Sequence, residues 1–211
     1  MQVLFALTVL LSAFSLSGQT GGGVFTEGPV MKRAKIYPMA TALSNGKVIS
    51  FGGREYNFIS CAYADMYDPT SNTFSEKAMN TPRDGSVVVK LSDGRYMILG
   101  GSKDLGVAPG YATTEIYDPA TDSFISMASM NYSRMQLGAV QLTGGKILIA
   151  GAWYNTSGAA TGEVYDFTSN SFTNTGVLNH PRAQATVLPT SDGGAVIAGG
   201  WPTYGGAIME S

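Results

Sequence analysis

The chain repeats itself. Four segments of 19 residues align without a gap: KIYPMATALSNGKVISFGG from Lys35, RDGSVVVKLSDGRYMILGG from Arg83, RMQLGAVQLTGGKILIAGA from Arg134 and RAQATVLPTSDGGAVIAGG from Arg182. Each opens on a basic residue, runs through small and β-branched residues to a turn, and resumes as an apolar stretch ending in a small pair. The glycines opening those pairs, Gly52, Gly100, Gly151 and Gly199, stand 48, 51 and 48 residues apart. In three repeats a second block follows, reading ADMYDP from Ala64, TEIYDP from Thr114 and GEVYDF from Gly162. A polar turn and Phe74, Phe124 or Phe172 come next. A unit of about 50 residues recurring in this way cannot bury both of its faces alone, and reads as one layer of a repeat architecture.

Each unit predicts four strands. Asn45-Gly46, Asp93-Gly94, Gly144-Gly145 and Asp192-Gly193 separate the first two, and predict hairpin turns with φ > 0 at both central residues. The second strands (KVISF, RYMIL, KILIA, GAVIA) are continuous apolar runs, as expected of strands covered on both faces. The small pairs after them permit close backbone approach where sheets converge. Asp-Pro-Thr-Ser-Asn and Asp-Pro-Ala-Thr-Asp are turn formers between strands three and four. Composition agrees with a Gly-rich, weakly charged β protein: 27 of 211 residues are Gly and only 13% are charged. Net charge is −2 with no basic run, which speaks against a nucleic-acid partner held by phosphate contacts. The single Cys61 excludes a disulfide framework, and with the single His180 it excludes an ordinary His/Cys zinc site.

Hairpin, double glycine, variable loop, Glu-x-Tyr-Asp-Pro and a following aromatic together resemble the kelch repeat. The resemblance spans residues 24–211 and is nearest to the secreted, galactose-oxidase-like kelch type. It implies an all-β kelch-type β-propeller of four-stranded antiparallel blades. The repeats occupy about 35–82, 83–133, 134–181 and an incomplete 182–211. Residues 24–31, with Phe25, are expected as an outer strand completing the last blade, because Phe25 precedes Lys35 by the spacing seen from Phe124 to Arg134. That makes four blades' worth of strands, either a closed four-bladed ring or a fragment of a larger one. Repeat three has Gly151-Ala152 and Asp166-Phe167 in place of Gly-Gly and Asp-Pro, so its connections are expected to differ slightly.

Ahead of the repeats, Val3 to Leu16 is almost wholly apolar and too short to cross a bilayer, which needs about 20 residues. Residues 1–17 read as a signal peptide and 18–23 as a Gly-rich linker, giving a secreted or periplasmic protein with no transmembrane segment.

The loops joining second and third strands share a rim and differ in length and sequence where the scaffold does not, as binding loops do. From them come the candidate ligand-binding residues Arg54, Tyr56, Trp153, Tyr154, Asn155, Trp201 and Tyr204, with the two tryptophans as anchors. Aromatics among amides suit a glycan or protein ligand, stacking on the ring and bonding at its edge. The alternative is that they pack each loop onto its blade. Phosphate-loop, HExxH, GxSxG and Cys-x-x-Cys motifs are absent from the sequence, and no cofactor or metal is expected. The resulting expectation is a non-catalytic secreted binding module. The second reading is a secreted carbohydrate-active enzyme such as a galactose-oxidase-like copper oxidase with part of its site missing: the resemblance would require two Tyr and two His, and only His180 is present.

Finally, Lys35, Arg83, Arg134 and Arg182 open the blocks, and Asp65, Glu115, Glu163 and Glu210 recur near third-strand starts. First and third strands lie about 9–10 Å apart, a gap Arg and Glu can span and Lys with Asp would strain to span. Matched opposite charges predict an ion pair in every blade rather than a cationic ring.

Overall fold

The computed structural model describes residues 27–103, 110–153 and 156–202. Blade one is built of β1 (Met39–Ala42), β2 (Val48–Phe51), β3 (Tyr63–Asp68) and β4 (Thr73–Ala78), hydrogen-bonded in that order. Blade two repeats the pattern with β5 (Val87–Lys90), β6 (Tyr96–Leu99), β7 (Thr114–Asp118) and β8 (Ser123–Met127). Blade three has β9 (Gly138–Gln141), β10 (Ile147–Ala150), one helical turn α1 (Thr156–Ala159), β11 (Thr161–Asp166) and β12 (Ser171–Val177). Repeat four contributes β13 (Arg182–Ala183), β14 (Thr186–Pro189), β15 (Ala195–Ala198) and β16 (Trp201–Pro202), with β14 on β15 and β13 on β16. Every strand pair is antiparallel. The fold is all-β and its sheets are propeller blades. No strand pairing among the described residues joins repeat four to repeat one.

The core lies between blades. Leu43, Ile49, Phe51 and Ala64 of blade one pack on Tyr96, Ile98 and Tyr117 of blade two. Met97, Leu99 and Ile116 pack in turn on Ile147, Ile149 and Tyr165 of blade three. Each outer-strand Phe packs at a tilt against the third-strand Tyr of its own blade, with ring centroids 5.2 Å apart for Phe74 and Tyr67, 5.0 Å for Phe124 and Tyr117 and 4.8 Å for Phe172 and Tyr165. The same tyrosine hydroxyls donate to Asn72, Asp122 and Asn170, residues holding φ of 53°, 49° and 46° at the ends of the three-to-four turns.

The small pairs lock one blade to the next. A Cβ on Gly52 would stand 2.3 Å from the carbonyl oxygen of Arg83, one on Gly100 2.2 Å from that of Arg134, and one on Gly151 2.5 Å from that of Arg182. No side chain fits there. The following residue donates its N–H to that same carbonyl: Gly53 to Arg83 (2.9 Å), Gly101 to Arg134 (2.8 Å) and Ala152 to Arg182 (3.0 Å). Glycine is thus required by approach of the next blade's backbone.

One expectation is corrected. The hairpin turns hold φ > 0 at both central residues only at Gly144-Gly145; elsewhere Gly46, Gly94 and Gly193 alone are left-handed. The reason is an Asx turn: Asn45, Asp93 and Asp192 accept the N–H two residues on at 3.1, 3.0 and 3.2 Å, making a type I turn closed by one left-handed glycine. Repeat three keeps its three-to-four turn despite Phe167, because Asp166 accepts the Thr168 N–H at 2.8 Å just as Asp68 and Asp118 accept theirs from Thr70 and Ala120. Its connection does differ between the second and third strands, where α1 lies. Of the proposed outer strand 24–31, the described part forms no strand and makes a single bridge at Val30; Phe25 lies outside the described residues.

Candidate functional site

The basic residues opening the blocks point inward and are buried. Arg83 Nε donates to Glu115 at 2.8 Å and Arg134 Nε to Glu163 at 3.0 Å, each side chain at most 1% exposed. Each guanidinium also serves the backbone: Arg83 donates to the carbonyls of Gly100 (2.6 Å) and Thr113 (2.9 Å), Arg134 to those of Gly151 (3.0 Å) and Thr161 (2.9 Å). The N–H groups of Asn80 (3.0 Å) and Asn131 (2.6 Å) complete the two carboxylates. Burial holds the Arg134 guanidinium below its ordinary pKa, against the pull of Glu163. Lys35 and Asp65 are also paired, so the shorter combination does reach; the Lys35 ammonium donates to the Tyr63 carbonyl as well, at 2.9 Å. Asp65 Oδ1 has no hydrogen-bond partner among the described residues, and burial raises this carboxyl above its ordinary value despite Lys35. Arg182 donates to the Gly199 carbonyl at 2.9 Å, while Glu210 lies outside the described residues. These charges hold the blades together and leave the site to other side chains.

A cavity of about 870 Å³ opens where the first strands of all four repeats begin. Tyr37, Gly85, Gln136 and Gln184, the third residue of each 19-residue block, all line it. All four are left-handed, with φ of 55°, 58°, 52° and 55°. Successive repeats are tied at this level by backbone hydrogen bonds, Gln136 N–H to Gly85 and Gln184 N–H to Gln136, both at 2.7 Å. Non-glycine residues in this conformation cost of order 1–3 kcal/mol each and persist only where the surroundings over-determine them. Ser86, Thr186 and Trp153 add two hydroxyls and an indole to the lining. Asp84 is the only charged residue among the described residues of the lining, and is neutralised: Arg54 donates to one carboxylate oxygen at 3.2 Å and Ser102 to the other.

The loop residues chosen from sequence go to different places. Trp153 lines the cavity, half-buried, with its backbone N–H donating to the Met135 carbonyl at 2.9 Å. Arg54 is buried at the junction of blades one and two, its guanidinium over the rings of Tyr37 (5.4 Å) and Phe58 (5.6 Å). Tyr56 is exposed on the rim, and Trp201 is exposed in β16 opposite Ala183; neither lines the cavity. Tyr154, Asn155 and Tyr204 lie outside the described residues. Cys61 is buried, and His180 is half-buried with its carbonyl on Arg182 Nε at 3.2 Å. No group of three His, Cys, Asp or Glu side chains gathers among the described residues, and no described helix is long and apolar enough to cross a membrane.

No protein-family model matches the sequence, and no curated protein matches it. Among solved structures, one titled "Structure of YjhT" matches with a TM-score of 0.70 at 13% sequence identity, covering 90% of this chain and 68% of that one. The likeness is one of fold. At such identity it reaches the layout of the blades and leaves the cavity residues to be read from this chain alone.

Sequence reasoning missed Tyr37, Gln136 and Gln184. The signal was in the alignment: within blocks that otherwise match, the third column reads Tyr, Gly, Gln, Gln, so the scaffold leaves that place to vary.

Proposed function

We propose that this protein is a secreted, non-catalytic kelch-type propeller that binds a neutral glycan in the cavity at the convergence of its first strands. The repeated double glycine, Tyr-Asp turn and buried Arg-Glu pair support the kelch type, and the apolar stretch of residues 3–16 supports export. The observation that carries the reading is the cavity lining. Residues carrying two amides, a phenol, an indole and two hydroxyls line a space of ligand size, and the carboxylate among the described lining residues is already balanced by Arg54. Amides and hydroxyls match the mixed donors and acceptors of a sugar, and Trp153 supplies a flat apolar surface for its C–H face. A lining without unbalanced charge among the described residues favours an uncharged ligand.

The test is an array of neutral oligosaccharides followed by titration of the strongest one. Trp153→Ala and Gln136→Ala should each weaken binding at least tenfold with the melting temperature unchanged. Binding that survives both substitutions and is lost with Trp201→Ala would place the ligand on the outer rim. An array without signal would overturn the glycan reading.

A further inference from the structure

Two demands ordinarily explain a glycine: a backbone conformation that other residues avoid, or a neighbour too close for a side chain. Neither requires glycine at position 85. Its φ of 58° is matched by Tyr37, Gln136 and Gln184 at the same place in the other repeats, so the fold holds side chains in this conformation three times over. Space is also available. A Cβ on Gly85 would meet nothing nearer than Gln136 Cγ at 3.4 Å, an ordinary contact with a flexible side chain. The contrast with Gly52, Gly100 and Gly151 is sharp, since there a carbonyl oxygen of the next blade stands within 2.5 Å. What glycine does at 85 is withhold a side chain from the cavity wall beside Gln136. Three repeats carry a side chain at this level of the lining, and the second carries none. Its chain neighbours Asp84 and Ser86 also belong to the lining.

We infer that Gly85 is the seat of the bound sugar ring, and that Tyr37, Gln136 and Gln184 select which sugar is accepted there. This rests on the glycan reading above and deepens it. The ring lies off-centre, against repeat two, where its hydroxyls reach the Asp84 and Ser86 side. The three side chains from the other repeats border the remaining sides. Rigidity suits this task. The left-handed backbone and the hydrogen bonds from Gln136 to Gly85 and from Gln184 to Gln136 fix where each side chain starts, so little ordering is left to do on binding.

The decisive variant is Gly85→Gln, which gives repeat two the residue that repeats three and four already carry in that conformation. Titrated with the neutral oligosaccharide that wild type binds best on the array, it should lose at least tenfold in affinity while melting within a few degrees of wild type. Gly85→Ala, which adds only a methyl group, should lose less. Gln184→Gly, which opens a second place, should retain binding and change the order of preference among the arrayed sugars. Should Gly85→Gln prove unstable, Gly85→Ala and Gln184→Gly carry the test by themselves. Unchanged affinity in the folded Gly85 variants, with Trp153→Ala still abolishing binding, would overturn the seat and leave the glycan reading standing. An unchanged sugar preference in Gln184→Gly would overturn the selecting role. An array that wild type leaves blank would overturn the glycan reading and this inference together.

Discussion

Blade one and blade three solve the same problem with different side chains. In both, a cation from the start of the block meets a carboxylate from the third strand, and all four side chains are fully buried. Arg134 makes that meeting a hub: beyond Glu163 it serves the carbonyls of Gly151, Gly158 and Thr161 and the Thr161 hydroxyl. Lys35 has one compact ammonium, spent on Asp65 and the Tyr63 carbonyl, and Asp65 keeps an oxygen with no hydrogen-bond partner among the described residues. The comparison separates two quantities that a charge count merges. Pairing cancels charge in both blades, but where the Lys35 ammonium reaches one backbone carbonyl the planar, five-donor guanidinium of Arg134 reaches three.

The largest effect should come from Arg134→Ala, at about 3–5 kcal/mol in urea unfolding, because Glu163 is left buried without its partner. Lys35→Ala should fall at the lower end of that range; a cost equal to or above that of Arg134→Ala would break the comparison. Apolar replacement of both partners sharpens it. Lys35→Met with Asp65→Leu should come within about 1 kcal/mol of wild type or exceed it. Arg134→Met with Glu163→Leu should remain several kcal/mol down, since the carbonyls of Gly151 and Thr161 and the N–H of Asn131 lose partners at about 1–3 kcal/mol each.

Next in size are the glycines that let the blades close. Gly100→Ala should cost about 2–4 kcal/mol, combining a left-handed alanine with a Cβ 2.2 Å from the Arg134 carbonyl oxygen. Gly94→Ala has the same conformational demand (φ 89°) and nothing within 4 Å, so about 1 kcal/mol is expected by thermal or chemical melting. Equal losses at the two sites would show that conformation, not close approach, is what glycine provides.

A pH profile probes the blade-one pair from another side. Burial raises the Asp65 carboxyl, with Lys35 opposing the rise. A carboxyl raised by folding contributes stability that is complete below the ordinary carboxylate range and is lost as pH climbs through its raised value. Lys35→Met removes the opposition, so its melting temperature should rise on going from pH 7 to pH 5 more than that of wild type. Asp122 behaves oppositely, because its hydrogen bond from Lys77 lowers it; its contribution is lost as pH falls through that lowered value. The Lys77–Asp122 contact joins blades one and two at 2.8 Å with both side chains open to solvent, so Lys77→Ala should cost about 0–1 kcal/mol and less in high salt.

Repetition made the blades legible, because strand period, turn chemistry and small pairs are local properties copied from repeat to repeat. The ion pairs followed from the same register: two columns of opposite charge on strands one and three leave little choice of partner. The cavity was not legible. Its lining comes from the third residues of four blocks, each about 50 positions from the next, and only the curvature of the stacked blades brings them together. The same curvature separated residues that looked equivalent in sequence. Arg54, Trp153 and Trp201 all follow the small pair, yet one is buried against Asp84, one lines the cavity and one faces solvent. Local sequence determines what a repeat folds into; the contacts between repeats decide which of its side chains can meet a ligand, since they alone set which surfaces remain uncovered.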